Sequence, residues 1–460
     1  MNDTQPSLLW RAEALATLRL AVPLAAANLL QMAVYAVDVI FVARLGQTPL
    51  AASSLSVSLF GLLAWSLSAM TGAVSALISA ELGARRHALR AVRHSTRMAL
   101  WLAVVTGALA MLICSQGEAI LLLTGQTVEV AHLSGQFLHV LLWALVPMLI
   151  GNVLRSVVSA LGRPVFATAI TALAIAVNAA GNYALVFGHW RAPALGLPGS
   201  AMSSIITAVV TALAYAGAIA SDRRLRRYYL FGHLWRPDWQ RLRELVAIGG
   251  PIFLQVLAEA GLFGAAAFLM GRIGEAELAA HAVALQIAAF TFQIPMGIGQ
   301  AATIRVGYHY GAGDAQAVGR AGWASLWIGL GIAMISSSLM VFVPRLLLSA
   351  YIDVEAAGRL GMVALAVQYL RVAAAFQLVD AAQAILAGAL RGLQDTRVPM
   401  AMALAGYWLP GFGVSAWLGL ATPLGGFGVW IGLAIGLAVV SAMLLWRWSA
   451  RGRLRLVPQS

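Results

Sequence analysis

There is no lysine anywhere in the 460 residues; all thirty basic side chains are arginine. That removes any P-loop, whose lysine holds nucleotide phosphates, and with it ATP hydrolysis by that route. Cysteine occurs once, at Cys114 inside an apolar run, which leaves no disulfide framework and reads as a small buried hydrophobe. Charge is scarce: 10% of residues are charged against 61% hydrophobic, with a mean hydropathy of +0.84. A soluble chain of this length cannot cover itself with so little polar surface, so the sequence describes a polytopic membrane protein. The eight histidines are scattered without zinc-ligand spacing. The polar opening stretch, MNDTQPSLLWRAEALATLRL, is not the pattern of a cleavable signal peptide.

Apolar runs of about 20 residues or more suit membrane-crossing helices. Twelve are present, at 19–43, 50–79, 98–116, 132–154, 165–187, 196–220, 246–271, 278–303, 321–343, 360–388, 399–420 and 425–446. The expected fold is all-α, with twelve transmembrane helices. Arginines alternate between the two sides. Twenty-four fall on the side of the N-terminus: the 80–97 loop with Arg85 and Arg86, the 221–244 segment, the tail, and span ends such as Arg305 and Arg391. The opposite loops carry only Arg44, Arg191, Arg272, Arg345 and Arg359. By the positive-inside rule both termini are cytoplasmic. The net charge of +13 is then topological, with contact to anionic lipid and no nucleic-acid partner.

The chain also repeats itself at an offset of 228. Pro23 matches Pro251, Leu45-Gly46 matches Ile273-Gly274, Leu50-Ala51-Ala52 matches Leu278-Ala279-Ala280, and Gly83 matches Gly311. At an offset of 229, Gly196 and Gly199 match Gly425 and Gly428. Six spans are thus repeated as six, which gives two pseudo-symmetric lobes of the same orientation. The expected division is an N-lobe at 1–220, a basic cytoplasmic linker at 221–244 and a C-lobe at 245–460.

Several stretches together resemble the multidrug and toxic compound extrusion (MATE) transporters, in their NorM-like bacterial branch. They are AVDVIFVARLG in the first span, QIPMGIGQAATIRVGYHYGAGD after the eighth and LAGALRGLQDTRVPM after the tenth. The resemblance covers essentially the whole chain. It implies a monomeric antiporter of the bacterial inner membrane, with no cofactor and no enzymatic step. It would expel cationic or amphiphilic small molecules while H⁺ or Na⁺ enters.

Of seventeen acidic residues, only Asp38, Glu259 and Asp380 lie well inside apolar spans. A charge at the bilayer centre costs about 2.5–3.5 kcal/mol on insertion scales, so such residues mark functional sites. Glu259 and Asp380, on the seventh and tenth spans, form one expected C-lobe site. By helix rise Asp380 falls about 9 Å to the inner side of its span's middle, whereas Glu259 is near the middle of its own. The pair holds a proton, or Na⁺ if sodium is the coupling ion. Gln286 on the eighth span is a further candidate for that cavity. The resemblance implies a tyrosine one turn before the second acid; here that position is Phe376, which offers a ring face and no oxygen. In the N-lobe, Asn178 and Asn182 share one helix face and are natural partners for Asp38. The resemblance adds a hydroxyl on the sixth span, Ser204.

Two rivals stand beside this reading. A flippase for lipid-linked glycans has a related architecture but wants basic residues to hold pyrophosphate. Here Arg371 is the lone basic residue expected within the spans. A membrane-embedded enzyme would need converging histidines and carboxylates, which the sequence does not show.

Overall fold

The computed structural model describes residues 4–84 and 88–457. Arg85 and Arg86 lie outside them, as do 1–3 and 458–460. Among the described residues the regular structure is helical throughout. Twelve elements follow the expected spans: α1 (Thr4–Ala43), α2 (Gln47–Ala84), α3 (Ala88–Ser115), α4 (Val128–Ala160), α5 (Val165–Phe187), α6 (Leu197–Ser221), α7 (Trp239–Ile273), α8 (Glu275–Gly311), α9 (Ala315–Phe342), α10 (Leu360–Gly392), α11 (397–420) and α12 (Gly426–Ser449).

Eleven of these are long and apolar enough to cross a membrane. The exception is α11, which runs as Arg397–Gly406, a π turn over Tyr407–Phe412, and Gly413–Leu420. Pro410 has no N–H to give the Gly406 carbonyl, so the helical ladder widens there. The helices also outrun the apolar stretches. The first begins by Thr4, where hydropathy alone starts it at 19, and α3 begins at Ala88 rather than 98. Hydropathy registers only the apolar part, while basic and polar turns carry the helix onward.

By packing, the chain forms two compact units, one of residues 26–253 and one of residues 1–25 with 254–460. The junctions therefore fall inside α1 and α7, two residues after Pro23 and Pro251. They keep the 228-residue offset of the repeat. Division at the linker, into 1–220 and 245–460, does not coincide with these units, and local contacts show why. Early in α1, Glu13 accepts two hydrogen bonds from Arg305 of α8, each 2.7 Å, and lies 3.1 Å from His309 Nε2. Early in α7, Gly249 lies so close to α2 that a Cβ there would sit 2.6 Å from the Met70 carbonyl oxygen.

In the 26–253 unit the basic linker is folded rather than free. Leu225, Tyr228 and Leu230 are buried, and α3 holds the segment's backbone. Arg93 donates to the Tyr228 carbonyl at 3.0 Å and Trp101 to the Leu234 carbonyl at 2.7 Å. His94 lies 2.7 Å from Asp238. Partial burial works to raise the Asp238 carboxyl, but the Arg241 backbone N–H and the His94 ring outweigh it and hold its pKa below the ordinary value.

Repeat-related glycines keep their geometry. Gly196 (φ 62°, ψ −131°) and Gly425 (φ 53°, ψ −132°) precede α6 and α12 in a conformation that side chains with a Cβ resist.

In the second unit, α8 and α10 run parallel in glycine-lined contact. A Cβ on Gly299 would lie 2.8 Å from the Ala384 carbonyl oxygen, and one on Gly388 would collide with the Gly299 carbonyl. Thr303 Oγ1 donates to the Gly388 carbonyl at 2.8 Å. This seam fixes the height of Asp380 on α10. We expect Gly388→Ala to destabilise the protein by about 1–3 kcal/mol, because the helices must separate to admit the methyl. Gly361→Ala on the same helix meets nothing within 4 Å and serves as the control. Thermal unfolding of the detergent-solubilised variants checks this; equal melting temperatures would contradict it.

Candidate functional site

Two carboxylate centres emerge, one in each unit. In the 26–253 unit, Asp38 on α1 meets α5 and α6. Asn178 and Asn182, four residues apart and wholly buried, both donate through Nδ2 to Asp38 Oδ1, at 3.0 and 2.7 Å. Ser204 Oγ donates to the other carboxylate oxygen at 3.3 Å. All four residues expected from the sequence are therefore gathered. The close approach of α5 and α6 makes this possible, because Gly181 lies directly against Ser203, where a Cβ would collide with the hydroxyl. Ser203, which sequence reasoning missed, donates to the Asn178 carbonyl at 2.9 Å and accepts from Asn182 Nδ2 at 3.3 Å. Its signal was present in the Ser203-Ser204 pair. The side-chain amide oxygen of Asn182, Oδ1, is buried without a hydrogen-bond partner. The result is a carboxylate oriented by three helices and met by donors on both oxygens.

In the other unit, Glu259 of α7 and Asp380 of α10 interact electrostatically in spite of the depth difference expected from the hydropathy edges. Asp380 is 4% exposed and its Oδ1 has no hydrogen-bond partner. Glu259 takes a hydrogen bond from the hydroxyl of Tyr407, the first residue of the π turn in α11. Gln383, one turn beyond Asp380, donates in turn to the Tyr407 hydroxyl. Neither Tyr407 nor Gln383 was picked out from the sequence; a polar residue beside the in-span Pro410 was the available signal.

The other two C-lobe candidates fare differently. Phe376 is buried, but its ring packs against Phe263 and Trp430, with centroids 6.0 and 5.8 Å away. Its ring thus belongs to an aromatic cluster, and the phenol at the acids comes from Tyr407. Gln286 is exposed on α8, and no hydrogen bond joins it to either acid. It is not brought to the pair, because its place on the helix turns it out of the packed face. Arg391, read from the sequence as an inner-side arginine, interacts electrostatically with both Glu259 and Tyr407. Arg371 is therefore not the lone basic residue to be reckoned with in the spans.

A twice-repeated helical membrane chain with carboxylates held inside the spans of both units is a transporter by class. The comparison with known families specifies it. The MatE family model matches residues 23–184 and again 251–417, so its two copies begin at Pro23 and Pro251. The chain belongs to the MatE family, in its NorM-like branch.

It is 43% identical over 450 residues to "Probable multidrug resistance protein NorM" of Mesorhizobium japonicum, covering 98% of this chain and 96% of that one. The protein of the same name from Brucella suis is 41% identical over 439 residues, covering 95% and 93%. Among solved structures, the eukaryotic MATE transporter AtDTX14 superposes with a TM-score of 0.84 at 19% identity, over 98% of this chain and all of that one. That likeness supports the fold.

Proposed function

We propose that this protein is a secondary active multidrug transporter that exports cationic and amphiphilic compounds in antiport with H⁺ or Na⁺, by alternating access. The observation that carries the reading is the pair of carboxylate centres, Asp38 with its amides and Glu259 with Asp380, among apolar helices. A carboxylate in such a place is stable when neutralised by a proton, a metal cation or a cationic ligand, and not by two of these at once. Exclusive occupancy of that kind is exchange. The relatives' name, with its multidrug resistance, supports the substrate class.

In this reading the repeats act as the two lobes, at 1–220 and 245–460, joined by the 221–244 linker. The protein works as a monomer in the bacterial inner membrane with both termini cytoplasmic. The proton is the favoured coupling ion. Phe376 stands where the resemblance implies a tyrosine and brings no oxygen, which removes one ligand a Na⁺ would use.

The test is dye retention. Expression in an efflux-deficient bacterial strain should lower steady-state ethidium accumulation, and a protonophore should restore it. Unchanged accumulation at confirmed expression would overturn the reading.

A further inference from the structure

Beyond the carboxylates, the 1–25 and 254–460 unit contains a second run of buried polar atoms with no hydrogen-bond partner in the protein. Both ring nitrogens of His281, the Tyr369 hydroxyl, the Trp430 indole N–H, both amide atoms of Gln377 and Asp380 Oδ1 belong to it. Their residues are buried: His281 is 1% exposed, and Tyr369, Gln377 and Trp430 are 0%. A buried polar group without a partner costs about 1–3 kcal/mol, so several of them close together are costly. Five neighbouring residues on three helices need a reason.

Ring contacts join three of them, and α10 carries the other two onward. His281 of α8 sits edge-on to the Trp430 ring of α12, with centroids 5.5 Å apart. Tyr369 of α10 stacks on the same ring at 6.1 Å, and Phe376 meets it at 5.8 Å. The parallel glycine seam sets the register: His281 and Tyr369 both lie about five turns before the contact of Gly299 with Ala384 and Gly388. They are therefore level. Gln377 follows Phe376 directly, and Asp380 is about one turn further along α10. The file thus runs from the end of the unit where α8, α10 and α12 begin to the coupling carboxylates.

We infer that this file is a proton lane, in which His281 receives a proton from the side where α8 begins and Trp430 and Gln377 guide water that carries it to Asp380. The inference rests on the C-lobe carboxylates being the coupling site. Imidazole suits the outer position because it accepts a proton on one nitrogen and releases one from the other, ending neutral in the opposite tautomer, which a ring flip resets before the next proton. The titratable groups around it are Glu277, one turn earlier on α8, and Tyr369 of α10, which interacts electrostatically with Glu277. Gln377 presents a donor and an acceptor, as a relay through water requires. Neither residue need touch the drug. Their role is to set the rate at which protons reach the site.

The experiment uses purified protein in proteoliposomes with ethidium as probe. It measures ethidium binding, ethidium counterflow without an ion gradient, and ethidium movement driven by an imposed ΔpH. His281→Gln and Gln377→Leu should bind ethidium and support counterflow within about twofold of wild type. Their ΔpH-driven rate should fall on the order of 100-fold, the lower end of what a positioned proton carrier supplies.

Equal losses in counterflow and ΔpH-driven transport would mean a packing role and overturn the lane. Wild-type ΔpH-driven rates in both variants, with Asp380→Asn inactive, would overturn the lane and leave the carboxylate site standing. Wild-type rates in Asp380→Asn as well would remove the coupling site and the lane with it. Transport driven by ΔpNa alone would exclude a proton lane.

Discussion

Glu259→Gln should bind cationic dye weakly and fail to pump it. The amide preserves the side chain's size and can still meet the Tyr407 hydroxyl, which bridges Glu259 to Gln383. It cannot take up or give up a proton, so the site is held permanently in its neutral form. Asp380→Asn should behave alike, because Glu259 and Asp380 are electrostatically joined and repulsion between them is what a proton or cation relieves. The expected loss of gradient-driven export is on the order of 100-fold, the upper range of a coupling free energy between two ligands. Dye binding by fluorescence anisotropy, set beside efflux from loaded cells, separates the two effects. Normal efflux in both variants would remove the pair from the mechanism.

Asp38→Asn is expected to insert normally and to reduce efflux on the order of 10-fold or more, again as a loss of coupling. Asn178, Asn182 and Ser204 all direct donors at Asp38, and an amide in its place can accept through one oxygen only. The surrounding donors are left partly unsatisfied, and the exchangeable proton is lost. Resistance to ethidium at matched expression is the measurement. Asn178→Ala tests the contrary possibility that the cluster is a clamp between helices. A clamp predicts that this variant loses thermal stability while Asp38→Asn keeps transport. A coupling centre predicts that transport falls in Asp38→Asn at unchanged expression.

Much of this was legible along the chain, for identifiable reasons. Acids are so costly in apolar spans that Asp38, Glu259 and Asp380 declare themselves by position alone. The four-residue spacing of Asn178 and Asn182 puts them on one helix face, and that face does meet Asp38. The repeat was visible as Pro23 and Pro251, and the same offset reappears in the packing junctions at 25 and 253.

Tyr407 was not legible. It opens a π turn, and a helix that departs from 3.6 residues per turn re-aims its side chains relative to any periodicity read from the sequence. Gln286 lies exposed and is not joined to the acids, and an amide on a regular helix has no pattern that says whether its face is packed or open. Arg391 was counted with the inner arginines because its position suits them, yet its charge reaches Glu259. A long flexible cation acts well away from its own Cα. The packing units break inside α1 and α7, at 25 and 253, a boundary that neither the apolar spans nor the basic linker mark.

The central claim is that the carboxylates within the spans exchange a coupling ion for drug, and reconstituted transport under isolated gradients tests it most directly. Wild-type protein in proteoliposomes is given ΔpH alone or ΔpNa alone, with Glu259→Gln and Asp380→Asn measured alongside. The account predicts ethidium transport driven by ΔpH in the wild type and abolished in both variants. Drive by ΔpNa alone would keep the site and reject the proton as its ion. Wild-type rates in both variants under either gradient would contradict the account.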